Sequence, residues 1–169
     1  MIYFLAIPLL AAIVFQDFKW RLIYSILPVL IFSAFLVTGL LDDFRLTLLH
    51  TLINSTFLAF QFFMLWLYFV RVKGKESLVD TMIGKGDLAF LLAVTPAFSF
   101  GYYVLFYVSG LILALVLNLF YPFQRKTQGT IPLAGILSSY LILVILVARY
   151  ILDLDFHNDQ ALLNLINTP

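Results

Sequence analysis

Six long apolar runs, separated by short polar stretches, organise this chain. They cover residues 1–16, 22–41, 46–70, 88–100, 102–121 and 131–152. A helix needs about 20 apolar residues to cross a bilayer, and somewhat fewer if its flanking residues reach for the interface. The pattern therefore predicts an all-α, polytopic membrane protein with six transmembrane helices. Short loops join them, and residues 1–169 form a single domain. The longest polar interruption is 71–87. Asp42, Asp43 and Arg45 make a short turn, Gly101 a tight one, and Pro122 to Thr130 a loop. From Asp153 the tail again carries acids, Asp155 and Asp159.

Composition strengthens this reading. Of 169 residues, 63% are hydrophobic and only 11% charged, with mean hydropathy +1.06. No soluble domain of this size needs that much apolar surface, and no stretch remains for one. The 18 Phe and 9 Tyr suit lipid-facing and interfacial positions. The first run lacks a preceding basic residue, so it does not read as a signal peptide.

Charge then orients the chain. Lys19, Arg21, Arg71, Lys73, Lys75, Lys85, Arg125 and Lys126 all fall on one side of the six-helix arrangement. Only Arg45 and Arg149 fall on the other. Basic residues favour the cytoplasmic side, so both termini are expected outside. The net charge of +1 says nothing about partners; the bilayer and substrate proteins are the partners expected, and no nucleic acid. With no Cys, disulfides and thiolate metal sites are excluded. His50 and His157 read as interfacial or solvated residues, so no metal or other cofactor is expected.

Two carboxylates stand out. Asp17 closes the first run and Asp87 opens the fourth. Acids at the edge of an apolar span are costly and invite a functional reading. The bland reading of Asp87 is a helix N-cap. The first run ends inside, the second and third go out and return, and the fourth starts inside. Parity thus places both aspartates at the same depth on the cytoplasmic face. Two close carboxylates cannot both ionise cheaply and tend to share one proton. Such a pair can take a proton from water with one member and polarise a carbonyl with the other.

Gly84-Lys85-Gly86-Asp87 fits the GxGD pattern of membrane aspartyl proteases. Asp17, followed by Lys19, Arg21 and Ile23, resembles the first aspartate of the prepilin peptidases. These are also called type IV leader peptidases and include preflagellin peptidases. Thr130-Ile131-Pro132-Leu133 looks like that family's isoleucine-proline stretch before the last helix. The resemblance implies a membrane aspartic endopeptidase with Asp17 and Asp87 as its catalytic pair. It implies pilin-like precursor proteins as substrates, cut at the inner face of a prokaryotic cytoplasmic membrane. Gly84, Lys85 and Gly86 would then meet substrate. The chain departs from the family in having Ile23-Tyr24-Ser25 after its first aspartate, with proline only at Pro28. It also lacks the cysteine-bearing loop of many bacterial members. The resemblance therefore carries over neither methyltransferase activity nor zinc.

Other residues have plainer readings. Lys85 reads first as a positive-inside anchor, and Gly84 and Gly86 also read as plain turn residues. Asn54 and Gln61 in the third run, and Asn118 in the fifth, read as interhelical hydrogen-bonding groups. Glu76 and Asp80 read as loop acids. Two other classes of function fit the same residues. One is a small transporter using the aspartates as a cation or proton site; the other is a non-catalytic assembly subunit. The halves do not repeat, since Asp17 follows its helix and Asp87 precedes its own, and this weighs against the transporter.

Overall fold

The computed structural model describes residues 3–73, 84–120, 131–148 and 156. Glu76, Asp80, Arg125, Lys126, Arg149, Asp153, Asp155, His157 and Asp159 lie outside these residues. Among the described residues the chain is entirely helical. Its elements are α1 (Tyr3–Trp20), α2 (Ile26–Asp42), α3 (Phe44–Lys73), α4 (Lys85–Ala93), a 3-10 turn (Thr95–Ala97), α5 (Phe100–Phe120) and α6 (Leu133–Val147). Two stretches, Phe44–Arg71 and Phe100–Phe120, are long and apolar enough to cross a membrane.

The apolar runs become helices, and several end near Pro or Gly, although Gly101, expected to make a tight turn, lies within the first turn of α5. Helix α1 outlasts its apolar run, however, and places Asp17 within its last turn. Arg21 closes the helix in the left-handed region, φ 55°, a conformation usually left to glycine. Its amide still donates to the Asp17 carbonyl at 3.1 Å. Gln16 Oε1 accepts the Tyr24 amide at 3.1 Å and ties down the turn into α2. The Lys19 ammonium lies over the Phe15 and Trp20 rings, at 4.9 and 5.0 Å.

The fourth apolar run differs most from expectation. Instead of one helix over 88–100, α4 begins earlier, at Lys85, and ends at Ala93. Proline cannot donate to the preceding turn and disfavours helix in the residue before it, and here the chain tightens into the 3-10 turn around Pro96. At 1.5 Å per residue, α4 is about 14 Å long.

The core lies where α1 packs along α6, with α2 and α4 closing against this pair. Leu10, Ile13, Ile31, Phe35, Phe90, Leu137 and Leu141 fill it. Helix α5 joins through α6. Leu137 occupies the space a side chain on Gly110 would need, and the Ser109 and Tyr140 hydroxyls bond at 2.9 Å. Outside this core, large apolar residues such as Leu52, Leu115, Leu119 and Phe120 stand exposed.

Candidate active site

Three helix ends converge on one point. The last turn of α1 carries Asp17, the first turn of α4 carries Asp87, and α6 begins between them. Pro132 occupies the N-cap position of α6. The first amides of a helix have no intrahelical acceptor, and here two of them are taken by the aspartates. The Ala134 amide donates to Asp87 Oδ1 at 2.9 Å. The next amide, Gly135, donates to Asp17 Oδ2 at 2.6 Å. Neighbouring Cα atoms stand about 3.8 Å apart, so two carboxylates 70 residues apart in sequence are held side by side. The partial positive charge of a helix N-terminus favours anions, by up to about 2 kcal/mol where partly buried.

Burial makes the pair chemically interesting. Asp17 is only 6% exposed, and Asp87 is half-buried. Like charges so placed favour holding one proton between them. One member is then a base and the other an acid, which is what activating a water against a carbonyl requires.

Missing side chains make room for the pair. A Cβ on Gly84 would stand 2.8 Å from Asp87 Oδ2, closer than real contacts allow. A Cβ on Gly135 would stand 3.1 Å from Asp17 Oδ2 and 3.0 Å from the Phe18 ring. Gly86 serves a different neighbour, since its Cβ would meet Ile23 at 3.0 Å. It brings α4 against the turn between α1 and α2.

The structure thus unites Asp17, Asp87 and Gly84, and seats Gly86 against Ile23. Lys85 is two residues before Asp87, about 200° around the helix. It borders a groove of about 430 Å³ between α3 and α4, with Ser55, Leu58, Ala59, Phe62, Leu88, Ala89 and Leu92. Nor does Asp87 occupy the N-cap position of α4. Gly84 does, without side-chain capping, and its carbonyl accepts the Asp87 amide at 3.0 Å. Asp87 is the third helical residue, and its carboxylate is turned toward α6.

The Ala134 and Gly135 amides, which hold the two carboxylates, are what side-chain reasoning overlooks, because their contribution is made by the backbone. Pro132 ahead of an apolar run was their one sequence signal, since proline there marks a helix start and hence free amides. Asn54 makes the interhelical bonds expected of it, whereas Gln61 Oε1 and Asn118 Oδ1 are buried with no partner among the described residues. No group of three His, Asp or Glu gathers at metal-binding distance among the described residues. Compared with family models, curated proteins and solved structures, the chain finds no match.

Proposed function

We propose that this chain is a membrane aspartic endopeptidase of the prepilin-peptidase type. Asp17 and Asp87 activate a water between them, and the protonated member of the pair polarises the scissile carbonyl. The observation that carries the proposal is the gathering of both carboxylates on consecutive amides of α6. A structural acid would need only one such bond, and nothing in helix packing calls for a second buried carboxylate beside it. The substrates are pilin-like precursors with a short basic leader ahead of an apolar helix, cut where that helix begins. Cleavage of such a precursor by the purified protein in detergent tests this directly. No cleavage, by a monodisperse preparation offered several precursors, would remove the reading.

The chain in this proposal crosses a prokaryotic cytoplasmic membrane six times, with both termini outside and the aspartate pair at the cytoplasmic face. The exposed apolar residues of α3 and α5 face lipid, and basic charge segregates inward. The absence of Cys makes labelling clean. A single Ser77→Cys substitution is expected to react with an impermeant thiol reagent only after the cells are opened. Reaction in intact cells would invert the topology.

A pair sharing one proton also predicts the pH dependence. Cleavage is expected to rise as the base member ionises and to fall as the acid member loses its proton. The profile of kcat/KM against pH should therefore be a bell with two apparent pKa values belonging to the pair. A rate that climbs through alkaline pH with no descending limb would point to a different base.

A further inference from the structure

Helix α4 presents a physical problem at its far end. It spans about 14 Å, less than half of a hydrocarbon core about 30 Å thick. A helix that stops inside a bilayer leaves its last carbonyls without intrahelical donors, and no water is there to replace them. In this chain the carbonyls find donors from elsewhere. The Tyr103 hydroxyl donates to the Leu91 carbonyl at 3.3 Å. Thr95 Oγ1 donates to the Leu92 carbonyl at 2.9 Å. Beyond the helix, Asn54 reaches across from α3, and its Nδ2 donates to the carbonyls of Thr95, at 2.9 Å, and Phe98, at 2.8 Å. The Ser99 amide goes to the Phe156 carbonyl at 2.8 Å. Val94, Thr95, Ala97, Phe98 and Ser99 are all essentially buried.

Asn54 is the centre of this arrangement. It is fully buried, and both of its partners are carbonyls, which only accept, so its nitrogen must face them. Its Oδ1 has no partner among the described residues. Burying an unpaired acceptor is costly, so the two donor bonds are what this residue supplies. At the other end of the same nine-residue helix, Asp87 meets Ala134. A rod this short transmits a shift at one end to the other.

We propose that Asn54 is a positioning residue for Asp87. By holding the carbonyls of the break, it fixes how far α4 reaches, and with that the contact between Asp87 and the start of α6. The inference rests on the peptidase reading for its effect on rate, but not for its effect on structure.

Two readouts keep these apart. The first is a disulfide between Ile23→Cys and Gly86→Cys. A Cβ at residue 86 would lie 3.4 Å from the Ile23 Cβ, close to the disulfide range of about 3.5–4.5 Å. No other thiol competes. Adding Asn54→Leu is expected to slow formation of this bond at least about fivefold, because a disulfide tolerates little misplacement. The second readout is cleavage by Asn54→Leu in the otherwise native chain. There kcat should fall at least about tenfold with KM within about twofold, since misplacing a reacting group costs rate more than binding. Tyr103→Phe should move both in the same direction, by less. A merely structural role would lower the yield of folded protein while leaving the crosslinking rate and the kcat per folded molecule unchanged, and that result overturns the proposal. Should Asn54→Leu fail to fold, Asn54→Ser, which keeps one donor, is expected to give an intermediate loss in both readouts. Normal crosslinking and kcat in it overturn the proposal equally. If the native chain cleaves no precursor, the peptidase reading falls and the crosslink alone decides the role of Asn54.

Discussion

Asp87→Asn is expected to slow precursor cleavage by at least about a hundredfold, the lower range for losing a required acid–base group. It should do so without unfolding the protein. The Asn side-chain oxygen can accept the same Ala134 amide that Asp87 Oδ1 accepts at 2.9 Å. What Asn cannot do is hold or release a proton. Asp17→Asn is expected to behave alike, since its oxygen can still receive the Gly135 amide. The double substitution should be little worse than either single one, because groups acting as one unit are non-additive. Asp80→Asn, in the polar stretch between α3 and α4, should leave the rate near normal. The measurement is precursor processing by purified, monodisperse variants. Near-normal cleavage by Asp87→Asn would reduce this residue to a support for the start of α6 and end the proposed mechanism.

Why both aspartates were legible in the sequence, and their cradle was not, has a physical reason. A carboxylate beside an apolar run is an energetic anomaly that a one-dimensional pattern displays. The two are found side by side at the start of the last described helix, α6. The helical class was legible for the same reason, since run length is a one-dimensional property. The break after Ala93 was harder to see. Residues 88–100 are apolar throughout, and Pro96 alone did not reveal that the helix would begin at Lys85 and stop short. What makes that break tolerable lies in other helices, on Asn54 and Tyr103, and only the fold brings those donors to it. Gly86 and Lys85 show how a helix separates neighbours in sequence, because consecutive positions face different ways. Gly86 therefore packs on Ile23, and Lys85 borders a separate groove.

The backbone cradle itself has a direct test in Ala134→Pro. Proline is tolerated in the first turn of a helix because amides there lack an intrahelical acceptor, and Ala134 is the second residue of α6. Among the described residues its amide donates to Asp87 Oδ1. The substitution therefore deletes one donor and leaves the Gly135 bond to Asp17 in place. Removing a partner from a buried polar group costs about 1–3 kcal/mol. Spent on the placement of Asp87, that corresponds to a loss in cleavage of roughly 5- to 150-fold. Ala134 is fully buried, so the bulk of the proline ring has to be separated from the missing N–H. Ala134→Val adds comparable volume and keeps the amide; Ala134→Gly keeps the amide and removes volume. Both are expected to retain most of the native kcat, with Ala134→Pro well below either. If Ala134→Pro and Ala134→Val lose activity equally, volume and not the amide governs this position, and the start of α6 is a packing surface rather than the seat of the aspartate pair.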